Sequence, residues 1–170
     1  MPSTPVSEHH ALAPHRVACF VLVVSDSRKL ETETSGRAIV ELLEGAGHSV
    51  VARALVRDEP AEVVAAIQRE LTAGRARAVI TTGGTGLSRR DSTFEAVTTM
   101  LEKTITGFGE LFRMLSFQEI GAAAMMSRAT AGIADRSVIF VLPGSEHAVR
   151  LAMSKLILPE LGHIVQQLDK

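Results

Sequence analysis

Short apolar runs rich in β-branched residues alternate along this chain with stretches whose apolar residues recur at helical spacing. "RVACFVLVV", Arg16 to Val24, is continuous and short, as expected of a strand buried on both faces. From Ser35 to Gly47, residues Ala38, Ile39, Leu42, Leu43 and Ala46 share one helical face, with Thr34 or Ser35 as cap and Gly47 as stop. "HSVVARALV" reads as a second strand. A second helix starts at Pro60 behind Asp58 and Glu59, buries Val63, Val64, Ile67 and Leu71, and ends before Gly74. The strand "RAVITT" then leads through a glycine-rich loop to a third helix, beginning around Asp91 to Thr93 and carrying Ala96, Val97, Met100 and Leu101. "SVIFVLPG" is a further buried strand. "SEHAVRLAMSKLILPELGHIVQQL" is the closing helix, with Ser145 as cap and Pro159 as break or kink. Strand and helix alternating in units of about 30 residues predict an α/β fold with a parallel sheet, right-handed crossovers and helices covering it.

The 170 residues, 46% of them hydrophobic, fit one compact domain over residues 16–170 behind a flexible N-terminal tail, residues 1–15. His9, His10 and His15 of that tail either bind a metal or are simply solvated; the second is the expectation. The net charge of −1 gives no basis for nucleic-acid binding, so any anion site must be local. No apolar run approaches the ~18 residues that span a bilayer, and the start of the chain lacks a secretory pattern; a soluble chain without membrane partners is expected. The single cysteine, Cys19, sits within "VACFVLVV" and reads as a small core residue in a reducing, cytoplasmic setting.

Polar clusters close three of the predicted strands: "SDS" at Ser25 to Ser27, "TTGGTG" at Thr81 to Gly86 and "LPGS" at Leu142 to Ser145. In an open parallel sheet these ends converge on the ligand crevice. The glycine loop is neither of the two familiar nucleotide loops. It lacks the Lys-Ser or Lys-Thr of a P-loop, and Arg89 stands where the dinucleotide fingerprint has its third glycine. It is still able to cradle an anion, because glycines bring backbone N–H groups close, Thr82 and Thr85 offer hydroxyls and a helix N-terminus follows. A tight structural turn is the alternative, against which Arg89, Arg90 and Asp91 weigh toward function. Asp91 would cap the third helix and Asp58 the second, or both, joined by Asp26, would face one crevice and hold Mg²⁺ beside phosphates. Isolated histidines and a lone cysteine argue against zinc, and "LPGS" is not a serine-hydrolase elbow. The segment "GFGELFRMLSFQEIGAAAMMSR" holds three of the six Phe and three of the six Met, which suits a core, a flat ring pocket or a subunit interface. Ser127 and Arg128 at its end either meet an anionic ligand or finish and solvate a helix.

"VITTGGTGLSRRDSTFEA" resembles the signature of the molybdenum cofactor biosynthesis MoaB/MogA family, and "GFGELFRMLSFQEIGAAAMMSRATAGI" and "LPGS" follow in that family's order, from about Arg16 to the end. The resemblance, nearest to the MoaB branch, implies a three-layer α/β/α sandwich with a mostly parallel central sheet. It implies a homotrimer, or in that branch often a hexamer, that binds molybdopterin and adenylylates it with Mg²⁺ and ATP, releasing pyrophosphate. Asp58 and Asp91 then correspond to the family's two important carboxylates, Ser127 to its serine at the pterin site, and Gly83, Gly84, Thr85 and Gly86 to its phosphate loop. Asp26, Ser35, Gly36, Pro143 and Gly144 fall in further pocket segments, and Thr82, Arg90 and Arg128 complete the binding set. Mg²⁺ would sit at Asp58 and Asp91, or Asp91 would orient substrate instead. The molybdate-insertion enzyme of the same pathway is a partner the resemblance suggests. Glu33 replaces a common aspartate, and Ser92 and Phe94 replace valine and proline; the latter change removes a preset helix start. Because some MoaB-branch members lack a key carboxylate, a catalytically silent pterin-binding oligomer is the alternative. A related domain acting on another nucleotide is disfavoured by the intact "GFGELFRMLSFQEIG" block.

Overall fold

The computed structural model describes residues 13–170. Strand β1 (Ala18–Val24) leads to α1 (Ser35–Gly45), β2 (Ser49–Val56), α2 (Pro60–Ala73), β3 (Ala78–Thr82), α3 (Thr93–Thr98) and β4 (Lys103–Thr104). Helix α4 (Thr106–Ile120) and a 3₁₀ turn (Gly121–Met126) precede β5 (Thr130–Ala134), β6 (Ser137–Leu142), α5 (Glu146–Ala152) and α6 (Leu158–Leu168). The six strands form one sheet in the order β2-β1-β3-β6-β5-β4. The first four are parallel, as the crossover pattern requires, and β5 and β4 extend the sheet antiparallel.

The central strands read as unbroken apolar runs because each face of the sheet meets helices. On β1, Cys19 and Val21 enter one core with Ile39 and Leu43 of α1, Phe112 of α4 and Val149 of α5. Phe20, Leu22 and Val24 point the other way, toward Val63 and Ile67 of α2 and Val97 of α3. Helices therefore cover both sides of the sheet, giving the expected three layers. Among the described residues no helix is long and apolar enough to cross a membrane.

Local details correct the sequence expectations. Neither Thr34 nor Ser35 caps α1 with its side chain. The wholly buried Glu33 does so instead: its carboxylate accepts from Gly36 N–H at 2.7 Å and pairs with Arg53 of β2. The longer side chain thus ties a helix N-terminus to a neighbouring strand. Helix α3 has only six residues, so Met100 and Leu101 fall beyond its end. The closing helix is interrupted before Pro159 by a π-turn over Met153–Ile157, a wider turn suited to a residue that lacks an N–H and crowds the preceding turn. Of the expected tail, residues 1–12, with His9 and His10, lie outside the described residues. Pro14 lies against α6, its carbonyl oxygen 2.6 Å from where a Cβ on Gly162 would stand.

Candidate functional site

The C-terminal ends of β1, β2, β3 and β6 surround a cleft of about 390 Å³. It gathers Asp26, Ser35, Asp58, Thr82, Gly83, Gly84, Arg90, Asp91 and Gly144, residues from five separate segments of the chain. Ser25 and Ser27 of the "SDS" cluster also line it, and so do Arg28 and Ser88, which sequence reasoning did not single out. The signal was there for Arg28, which directly follows that cluster at the end of β1.

Asp58 and Asp91, two of the expected site residues, pack against the glycine loop. A Cβ on Gly84 would stand 2.7 Å from Oδ2 of Asp58, and one on Gly86 would stand 2.6 Å from Oδ2 of Asp91. These glycines therefore make room for carboxylates. Gly83 adopts φ 102°, and any side chain there would strike the carbonyl oxygen of Val24. Its N–H donates to Leu142 O at 3.1 Å, so it braces the loop on β6 and is not aimed at a ligand.

Both expected caps are reassigned. Asp58, in the β2–α2 connection, caps α3: its Oδ1 accepts from Ser92 N–H at 3.2 Å, Ser92 Oγ at 3.0 Å and Thr93 Oγ1 at 3.2 Å. Asp91 instead closes its own loop, its Oδ2 accepting from Ser88 N–H at 3.1 Å and Ser88 Oγ at 2.5 Å. Each aspartate keeps one oxygen, Oδ2 of Asp58 and Oδ1 of Asp91, that takes no hydrogen bond from the described residues.

Asp26 is tied to Arg90 by a two-point ion pair, Nε to Oδ2 at 2.7 Å and Nη2 to Oδ1 at 3.1 Å. It also accepts from Asp58 N–H at 3.1 Å, which links the β1 and β2 loops. The Arg90 guanidinium, chiefly by hydrogen bonding, holds the Asp26 carboxyl below its ordinary range, and Asp26 in turn raises Arg90. Arg90 also reaches Glu59 at 2.6 Å.

Other expected site residues have structural tasks. Thr82 donates its hydroxyl to Pro143 O at 2.9 Å, so the proton once expected to meet an anion instead ties the glycine loop to the "LPG" turn. Thr85 is buried in the loop, and Arg128 clamps that loop by donating to Thr85 O at 2.9 Å and Gly86 O at 2.7 Å. Arg128 also pairs with Glu95 and lies over the Phe94 ring, 5.1 Å from its centroid. Phe94 thus supports the clamp. At Gly36 a Cβ would run into the Val23 side chain, so the absence of a side chain there serves packing. Ser127 does not line the main cleft. It faces an adjoining pocket of about 160 Å³ with Phe112, Ile120, Pro143 and His147, and Ser145 borders both spaces.

Among the described residues no group of three or more His, Cys, Asp or Glu could hold a metal ion. Two aspartate oxygens in one cleft nevertheless fit a hard cation such as Mg²⁺, which commonly takes one or two carboxylates and completes its shell with phosphate oxygens and water. The donors present suit a cation that arrives with a phosphate ligand.

A doubly covered α/β sheet whose strand ends present two aspartates on a glycine loop defines a domain of the molybdopterin-binding class. The chain belongs to that family: residues 20–163 match the one described as "Probable molybdopterin binding domain". It is 48% identical over 166 residues to molybdenum cofactor biosynthesis protein B of Bacillus cereus, covering 97% of this chain and 98% of the relative. A crystal structure of molybdenum cofactor biosynthesis protein B shares the fold at TM-score 0.89 and 49% identity, covering 92% of this chain and 98% of that one. The tungsten cofactor synthesizing protein MoaB from Pyrococcus furiosus superposes at TM-score 0.84 and 36% identity, covering 93% and 100%. The MoaB/MogA resemblance read from the glycine loop is therefore correct, and the chain's role lies in molybdenum cofactor biosynthesis.

Proposed function

We propose that this chain adenylylates molybdopterin with ATP. The observation carrying this reading is that Asp58 and Asp91, distant in sequence, pack their carboxylates against one glycine loop, at Gly84 and Gly86, and line one cleft. The terminal phosphate of molybdopterin, anionic near neutral pH, attacks the α-phosphorus of ATP; its oxygen forms the new P–O bond as the bond to the departing pyrophosphate breaks. The protein needs little acid–base chemistry for this step. Its task is to bring two anions together and hold them in line. The glycine loop, braced by Gly83, Thr82 and Arg128, supplies a rigid floor, and Asp58 and Asp91 are oriented by Ser92, Thr93 and Ser88. Mg²⁺, held through the remaining oxygens of Asp58 and Asp91, would neutralise triphosphate charge. The adjoining pocket with Ser127 and Phe112 suits the flat pterin ring.

Incubation with ATP, Mg²⁺ and molybdopterin should yield adenylylated molybdopterin and pyrophosphate. Absence of product while both substrates are demonstrably bound would overturn the reading. A catalytically silent pterin-binding oligomer is favoured by one observation: Asp58 has a capping task that a non-catalytic member would also need. Calorimetric titration separates them, since pterin binding without ATP binding supports the silent form. In either form a homotrimer or hexamer fits the exposed apolar face of α4; a cytoplasmic setting and the molybdate-insertion enzyme as a partner belong to the same proposal and rest on the family resemblance.

A further inference from the structure

The cleft carries an imbalance of charge. Asp26, Asp58 and Asp91 line it against only two cations, Arg28 and Arg90. A triphosphate brings several more negative charges into the same space, so the cations determine whether it enters. Arg90 is already engaged, at 2.7 Å from Asp26 and 2.6 Å from Glu59, and contributes little net positive charge. Arg28 differs. Its side chain is exposed and makes no hydrogen bond or ion pair with the described residues.

The backbone of Arg28, by contrast, is held in place. Ser25 donates its N–H to Val56 O at 3.0 Å, anchoring the loop to β2. The Ser25 hydroxyl oxygen then accepts from Ser27 N–H at 3.3 Å and Arg28 N–H at 3.1 Å, folding "SDSR" into a tight turn at the end of β1. A fixed base at the rim with an uncommitted guanidinium gives a planar five-donor fork whose geometry matches phosphate oxygens.

We propose that Arg28 captures the polyphosphate of the nucleotide, forking onto the β- and γ-phosphates that leave as pyrophosphate. This inference rests on the adenylylation reading. When the bond between the α-phosphorus and the bridging oxygen breaks, its electron pair departs with pyrophosphate. Arg28 offsets that charge through hydrogen bonds and keeps its own protons throughout. The molybdopterin phosphate, a monoester with fewer charges, has less need of the same cation.

Calorimetric titration of the wild type, Arg28→Ala and Arg28→Lys with Mg²⁺-ATP, inorganic pyrophosphate and AMP tests this assignment. In Arg28→Ala, ATP and pyrophosphate should each bind roughly tenfold or more weakly, the scale of losing charged hydrogen bonds, while AMP binding stays unchanged. Arg28→Lys should recover part of the loss. The melting temperature should not move, because the exposed side chain makes no hydrogen bond or ion pair with the described residues. Unchanged ATP and pyrophosphate binding in Arg28→Ala would overturn the assignment and leave the adenylylation reading intact. An equal loss for AMP would also overturn it, by revealing a general field effect. A wild type that binds neither ATP nor pyrophosphate would sink the underlying reading itself.

Discussion

Ser92 donates both its backbone N–H and its hydroxyl to one oxygen of Asp58, at 3.2 and 3.0 Å, so an aspartate that enters the chain before α2 caps the helix after the glycine loop. Asp58 is thereby a structural link between two crossover units as well as a site residue. Asp58→Ala should remove three hydrogen bonds to a nearly buried group and cost about 1–3 kcal/mol. Asp58→Asn keeps an acceptor oxygen but loses the charge. Scanning calorimetry should show a clear fall in melting temperature for the alanine variant and a small one for asparagine, while adenylylation is lost in both. An asparagine variant with full turnover would leave Asp58 with the structural role only.

Gly84 and Gly86 should separate strain from displacement. Gly84 has φ 67° and is enclosed by Thr93 and Asp58, so Gly84→Ala imposes an unfavourable backbone and a collision, and should melt lower by several degrees. Gly86 has no positive φ, and its Cβ would meet the Asp91 carboxylate at 2.6 Å. Gly86→Ala should therefore leave stability nearly unchanged and push Asp91 out of position, lowering turnover at least tenfold. Parallel melting curves and turnover assays check the contrast; equal stability losses would mean that Gly86 is a packing glycine like Gly36.

The parts of the fold that were legible in sequence are those set by local pattern. Strands β1, β3 and β6 announce themselves because parallel strands covered on both faces must be apolar throughout, and β2, at the edge of the sheet and only half-buried, by its short run of Val, Ala and Leu. Strand β5, "TAGIA", is built of small residues, and β4 is the two-residue edge "Lys-Thr", so neither has a strand-like pattern. Convergence of three polar strand ends on one cleft was readable from topology alone. Partners were not. Asp58 caps by proximity in space, not in sequence, and nothing in "SDSR" or "SRRD" reveals that Arg90 is consumed by Asp26 and Glu59 while Arg28 is not. Ser127 and Arg128 part company because Ser127 is extended, with φ −78° and ψ 108°, so successive side chains point to different sides. One faces the apolar pocket and the other clamps the loop.

The apolar face left on α4 and the 3₁₀ turn predicts self-association. Leu111, Met114, Phe117 and Ile120 recur at three-residue spacing and are exposed by 47–61%, with Met125 and Met126 beyond them. A contiguous surface of this kind is characteristic of a buried interface. Light scattering should find a trimer or hexamer, and Met114→Glu combined with Phe117→Glu should shift it toward monomer without altering the far-ultraviolet spectrum. A wild type that is monomeric at micromolar concentrations would contradict the prediction.

Cys19 supplies a prediction in pH. Its thiol is wholly buried on β1, Sγ lies 3.6 Å from Val17 O, and burial pushes its pKa up to about 12 from an ordinary 9.0. Because the folded state holds the proton more tightly than the unfolded chain, this contribution to stability is complete below pH 9.0 and declines as pH rises toward about 12. Its slope cannot exceed about 1.4 kcal/mol per pH unit, the limit for one proton. Denaturant titrations from pH 8 to 11 should therefore show wild type losing stability more steeply than Cys19→Ala, the variant that has no thiol to ionise. At pH 8 the native thiol should also resist a disulfide-exchange reagent that reacts at once after denaturation. Identical alkaline slopes for wild type and Cys19→Ala, or rapid labelling of the native protein, would show that β1 opens to solvent far more readily than its packing between two helical layers allows.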